Sequence, residues 1–250
     1  MGTTSYETAS RRAGELIAAR LRGSHARIYE AGGGSLSLLP PSLLVASTIS
    51  VVDIDKVQLN NNTYADIKIQ GDIQTYSFPP DSFDLVVCNQ VIEHLDHPEQ
   101  AIRLFGEMLA PGGVLFIGAP HPASFSGLVT KYSPHWFHVW FYRHVMGSAT
   151  AGQPGHAPFR TVYHPLVHPK KLIAFCDQLG FSTIYFREFP HWVYASLEER
   201  RPALGRLLSG TVAAMNALTL GRHDLRNGDY QIVFEKRARK SEEVISSPPA

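Results

Sequence analysis

The sequence predicts an α/β fold organised on a doubly wound, mostly parallel sheet. Three observations predict it. Strand-length apolar runs alternate with helix-like stretches through the first 120 residues, on short connections. The first of these strands, Ala26 to Glu30, runs directly into Gly32-Gly33-Gly34. The strands after it are followed by Asp53, Asp72 and Asn89, polar groups at the end where ligands sit in such sheets.

Taken in order, Thr8 to Leu21 reads as a helix, with Leu16, Ile17, Ala19 and Leu21 on its apolar face. Strand one ends in the glycine loop. Ser35 to Leu39 begins a helix that Pro40-Pro41 cuts short, and Ser42 to Ala46 resumes it. Thr48 to Ile54 is a second strand, rich in β-branched residues. Asn60-Asn61-Asn62 reads as a loop, Asp66 to Gln70 as a short third strand, and Phe83 to Asn89 as an almost wholly apolar fourth. His97 to Leu109 is a helix with Pro98 in its first turn; Pro111-Gly112-Gly113 stops it, and Val114 to Gly118 is strand five.

The texture then changes. His121 to Tyr163 is long, aromatic and irregular, and a loop of that length in a compact domain is usually functional. Pro169 to Leu179 is a helix closed by Gly180, and Phe181 to Glu188 is strand six. Tyr194 to Leu220 is helical with a break near Pro202 or Gly210, and Tyr230 to Lys236 is strand seven. One domain therefore covers residues 1–236, with an insert at about 121–168 and a polar, disordered tail over 237–250.

Composition narrows the function classes. Lys plus Arg is 23 against 22 for Asp plus Glu, a balance that argues against a strongly electrostatic partner such as a nucleic-acid backbone or an anionic membrane, while leaving room for a local basic patch. Cys88 and Cys176 lie far apart and read as free thiols of a reducing compartment. The first residues carry no apolar signal region, and no window reaches the ~18 apolar residues of a membrane span. The expected location is cytoplasmic.

Each chemistry-bearing position has a bland and a functional reading. Three glycines can be a plain turn, or a loop that brings backbone amides against a nucleotide-like cofactor. Asp53, about 20 residues further on, is either a solvated strand-end acid or the acceptor for ribose hydroxyls; the loop upstream favours the second. Gly71-Asp72-Ile73 is either a turn or an adenine site, with Asp72 accepting from the amine and Ile73 packed on the base. Asn89-Gln90 closes strand four where a cofactor's polar tail would lie.

With these blocks in order, the sequence resembles the class I S-adenosylmethionine (SAM)-dependent methyltransferases, in their small-molecule branch. The likeness rests on Glu30-Ala31-Gly32-Gly33-Gly34, on Val52-Asp53-Ile54-Asp55 and on Gly71-Asp72-Ile73. Its most specific part runs from Phe78-Pro79-Pro80-Asp81 through Glu93-His94-Leu95 to Pro111-Gly112-Gly113. The resemblance implies a Rossmann-like, seven-stranded sheet in which strands six and seven make one edge antiparallel. It implies that Gly32, Gly33 and Gly34, with Ala31, admit the methionine part of SAM. Glu30 would order the loop or reach the amino group through water. Asp53 would hold the ribose, Ile54, Asp72 and Ile73 the adenine, and Asn89 with Gln90 the methionine end. Leu36 replaces an optional third loop glycine, which counts against a dinucleotide.

Methyl transfer from a sulfonium needs alignment and exclusion of water, and a base only where the acceptor loses a proton. His94 and His121, each just after a strand end, are the candidate bases, against capping and packing roles. The aromatic stretch Lys131 to His144 reads as a lid over an acceptor pocket, with His135, Trp136, Tyr163 and His164 as substrate contacts. His135/His138 and His164/His168 have helical spacing, but Pro165 interrupts the second pair and no third ligand stands out, so no metal is expected. The helix over 194–220 is either packed on the domain or an oligomer or membrane-surface face. The expected reaction is methylation, on oxygen rather than nitrogen or carbon, of a small or medium-sized apolar or aromatic metabolite. The rivals are a SAM-fold enzyme of different chemistry such as a cyclisation, a non-catalytic binding subunit, and a dinucleotide oxidoreductase.

Overall fold

A computed structural model describes residues 5–21, 25–218 and 224–238. Seven strands form one sheet: β1 (Ala26–Ala31), β2 (Ser47–Asp53), β3 (Ile67–Gln70), β4 (Phe83–Asn89), β5 (Leu109–Pro120), β6 (Phe181–Phe189) and β7 (Asp229–Lys236). Their order is β3-β2-β1-β4-β5-β7-β6. The pairs among β1 to β5 are parallel, and β7 lies antiparallel between β5 and β6. This is the Rossmann-like, seven-stranded arrangement that the resemblance implies, mostly parallel with an antiparallel hairpin at one side.

The strand residues alternate between two cores, as a period of two requires. Tyr29, Val86, Cys88, Leu115 and Ile117 face one side, where α4 (Pro98–Met108) and α7 (Pro169–Gln178) cover them. Ile28, Leu85, Val87, Val114 and Phe116 face the other, against α1 (Ser5–Arg20), α2 (Pro41–Val45) and α3 (Lys56–Asn61). Strands buried on both faces explain the apolar run Leu85 to Cys88 of β4.

Several expected boundaries shift for identifiable reasons. No helix forms over Ser35 to Leu39: Ser37 Oγ donates to Glu30 and accepts from Leu39 N, so its side chain serves the loop. Asn60 and Asn61 are helical rather than loop, because Asp55 caps α3 by accepting from Val57 N and Gln58 N. Pro111-Gly112-Gly113 does not precede β5 but lies within it. The register jumps from Phe83↔Leu109 to Leu85↔Val114, so these three residues with Ala110, four in all, bulge out against Asp84, with Gly112 at φ +77°.

The insert is less irregular than expected. It carries α5 (Phe125–Tyr132), capped by Ser124 Oγ on Gly127 N, and α6 (His135–His144) before the chain turns irregular. The helical stretch after β6 breaks at Arg201, giving α8 (Trp192–Arg200) and α9 (Pro202–Leu218). Pro202 has no amide to continue the ladder, and Gly205 lets α9 rest on Glu198. The expected disorder over 237–250 concerns residues that, beyond 238, lie outside those described.

Candidate active site

The sheet's switch point lies between β1 and β4, where the chain leaves in opposite directions and opens a crevice. The glycine loop forms one wall. Gly32 and Gly34 hold φ of +69° and +53°, a region that side chains disfavour. A Cβ on Gly32 would lie 2.6 Å from Val91, so only glycine lets this backbone pass. Asp53 is nearly buried; its Oδ2 accepts from Gly34 N at 2.9 Å and its Oδ1 from Asp55 N at 2.8 Å. An ionised carboxylate has about four acceptor directions, so each oxygen keeps one for a ligand hydroxyl. Glu30 lies beneath the loop, accepting from Ser37 Oγ and Tyr64 OH, and Tyr64 OH also meets Gly33 O. Burial raises its pKa.

The neighbouring positions fall as follows. Ile54 is 73% exposed beside Asp53, an apolar surface free to meet a flat ring. Ile73 is buried in the core with Tyr29 and Val52, so little of its side chain faces outward. Asp72 accepts from Gln74 N and Nε2. Asn89 Oδ1 is buried without a hydrogen-bond partner among the described residues, beside Gly118. Gln90 stands at φ +56°, its amide donating to Gly118 O at 2.7 Å.

Beyond Gln90 opens a cavity of about 740 Å³. Its floor is Gln90, Glu93 and His94; its walls include Phe137 and Phe141 of α6, Tyr163, and Leu197 of α8. The lining is mainly apolar with a few convergent polar groups, the usual make-up of a small-molecule site.

The floor is electrostatically unusual. Glu93 is 3% exposed, its Oε2 has no partner among the described residues, and burial pushes its pKa up to about 8. His94 Nδ1 lies 2.7 Å from Arg160 O. A carbonyl only accepts, so the neutral ring carries its proton on Nδ1 and leaves Nε2 bare. That nitrogen is 3.6 Å from Glu93 Oε1, and burial lowers the ring's pKa, keeping it neutral at pH 7. A second pair lies nearby: His191 Nε2 is 4.0 Å from Asp229 Oδ2. Burial raises Asp229 to about 7 and lowers His191 to about 4.

Of the sequence-predicted acceptor residues, His94, His135 and Tyr163 line the cavity, while His121, Trp136 and His164 do not. His121 is held: its Nδ1 accepts from Ala123 N and its Nε2 lies 3.4 Å from Glu188. Trp136 is 68% exposed, and His164 caps the short turn Pro165–Val167 by accepting from Leu166 N. Sequence reasoning assigned no role to Glu93, Asp229, His191 or Gln58. Glu93 stood in the most specific motif and Asp229 at a strand start, which were the available signals. Gln58 links two regions: its Oε1 accepts from Ser35 N and Oγ, and its Nε2 donates to Gly155 O at 2.6 Å.

Comparison with known proteins bears on the family and the fold. The family described as "Methyltransferase domain" matches residues 6–185. A "Ubiquinone biosynthesis O-methyltransferase" of Xanthomonas euvesicatoria pv. vesicatoria is 28% identical over 122 residues, which is 45% of this chain and 51% of the relative. The chain thus spans about half the length of the curated relatives it matches. Among solved structures, a SAM-dependent methyltransferase from Archaeoglobus fulgidus superposes with a TM-score of 0.55 at 18% identity, covering 93% of this chain and 95% of that one. The cyclase SpnF superposes at 0.56 and 17% identity, covering 95% and 85%. Both likenesses speak for the fold alone.

Proposed function

The chain belongs to the methyltransferase-domain family, of the class I SAM-dependent type, and on that premise we propose that it transfers a methyl group from SAM to a hydroxyl of an apolar or aromatic small molecule. The observation that carries the oxygen acceptor is His94: a neutral imidazole on the cavity floor, with its tautomer set by Arg160 O and its Nε2 bare.

The residues present fit SAM. Gly32 and Gly34 leave space that a Cβ would fill, Asp53 retains acceptor capacity for a ribose, and Ile54 offers an apolar face beside it. Asn89 Oδ1 is a buried acceptor lacking a donor, which an ammonium or amide of the ligand would supply. When bound, SAM supplies an electrophilic methyl group on a sulfonium. The chain's own part is alignment and proton handling. The apolar walls hold the acceptor's body and exclude water. His94 Nε2 takes the hydroxyl proton, and the imidazolium so formed faces Glu93, whose ionisation it favours. Gln90, next in the chain to Asn89, lines the cavity, and its side chain bonds Asp229.

The test is mass spectrometry of a phenol and alcohol panel incubated with protein and SAM. Gain of one methyl on oxygen, matched by S-adenosylhomocysteine, supports the reading. A product formed while SAM stays intact overturns it in favour of the cyclisation rival, which otherwise rests on fold likeness to one cyclase. Absence of SAM binding in calorimetry would leave the binding-subunit reading standing instead.

A further inference from the structure

We propose that the outer face of α6, with the end of α5, docks on an anionic lipid surface. The inner face of this helix lines the cavity through Phe137 and Phe141. Its outer face carries Trp136, Trp140, Arg143 and His144, all exposed and spaced four, seven and eight residues from the first, which is one stripe of a helix. Trp140 stacks on His144 at 5.6 Å, and Trp136 is 68% exposed. At the end of α5, Tyr132 is 77% exposed with Lys131 against its ring at 5.7 Å.

A buried helix exposes no tryptophan, and an ordinary solvated one carries charges of both signs. This one does neither. Tryptophan, tyrosine and basic side chains together suit the headgroup region of a bilayer, where an apolar ring and a polar edge are both satisfied. The sign of charge selects the lipid. Between Glu107 and Asp177 the sequence has no acidic residue, while it holds Lys131, Arg143, Arg160, Lys170 and Lys171. The near-neutral balance of the whole chain hides this local excess. No helix among the described residues is long and apolar enough to cross a membrane, so the contact would be peripheral. Because α6 separates the stripe from the cavity by one helix thickness, an apolar acceptor dissolved in the bilayer would have a short route in. The docking does not depend on methyl transfer.

Of the chain's 3 tryptophans, Trp136 and Trp140 lie on the stripe and Trp192 on α8 against the cavity, so the part of an emission change that the two stripe tryptophans carry is read by their replacement. The experiment mixes the full chain with vesicles of phosphatidylglycerol and phosphatidylcholine, and with pure phosphatidylcholine, and measures co-sedimentation and tryptophan emission. The expected result is pelleting and a blue shift with the anionic vesicles only, reduced by salt. Lys131→Gln with Arg143→Gln should weaken partitioning about thirtyfold, from the usual contribution of two basic residues near such a surface. Trp136→Ser with Trp140→Ser should abolish the blue shift while the melting temperature confirms folding. Unchanged emission with anionic vesicles overturns the proposal. So does a blue shift that tracks protein concentration without lipid, which would assign the face to a second copy of the chain.

Discussion

Glu93→Gln should remove a pH dependence of stability that the wild-type chain carries. The carboxyl is 3% exposed and burial holds its folded pKa near 8, against an ordinary 4.5. Between those values the unfolded chain releases the proton and the folded chain keeps it. The folded state binds more protons, so stability falls as pH rises through this window. Each pH unit costs about 1.4 kcal/mol per proton held. Below pH 6.5 the buried histidines act in the opposite sense: His191, lowered to about 4, contributes stability that grows as pH rises to its ordinary 6.5. The informative range is therefore pH 6.5 to 8, over which Glu93 contributes a loss of about 2 kcal/mol. Asp229 adds to the loss up to about pH 7 in both proteins and cancels in the difference. Glutamine is neutral and nearly isosteric, and its amide can donate to His94 Nε2. Urea unfolding at half-unit steps should show the variant's stability diverging upward from wild type as pH rises, by about that amount at pH 8. Parallel curves would refute a proton held at Glu93, and with it the account of the cavity floor.

The other predictions concern the site. His94→Gln should lower kcat by about 100-fold or more with SAM affinity unchanged, the usual scale of a lost general base; the acid limb of the wild-type kcat profile should lie below pH 6.5 and vanish in the variant. Gly34→Ala places a Cβ 3.1 Å from Gln58 Oε1 at φ +53°, so calorimetry should find SAM binding weakened about tenfold by strain of ~1–2 kcal/mol. Gln58→Leu removes the bonds to Ser35 and Gly155; hydrogen exchange across residues 153–163 should quicken, and a pattern identical to wild type would deny the link.

What the sequence made legible was local. Strand β4 was bounded correctly because it is apolar but for Asp84 and the closing Asn89, and Gly180 was placed as a cap because its φ of +86° is what glycine at that position serves. The residues missed were those whose meaning is set by distant chain. Glu93 looks like any acid in a turn until the insert covers it, with Val162 N and Tyr163 N both donating to its carbonyl. His94 acquires its tautomer from Arg160, 66 residues away. Pro111-Gly112-Gly113 reads as a stop because local propensity cannot register that β4 accommodates a bulge. His121 had the expected position after a strand, but its ring nitrogens are occupied by Ala123 and Glu188.

The stretch from Gly155 to Tyr163 ties these pieces into one device. At its start, Gly155 O is held by Gln58, whose other end holds Ser35 in the glycine loop. In its middle, Arg160 O fixes the His94 ring; at its end, Val162 and Tyr163 donate to Glu93 O. Between these points Ala157, Pro158, Phe159 and Thr161 line the cavity. A ligand that orders the glycine loop therefore also restrains the segment that orients the imidazole, through one glutamine side chain. The coupling is of limited size, since each hydrogen bond in it is worth about 1 kcal/mol net. That is enough to change the populated position of an irregular segment severalfold, and too little to lock it.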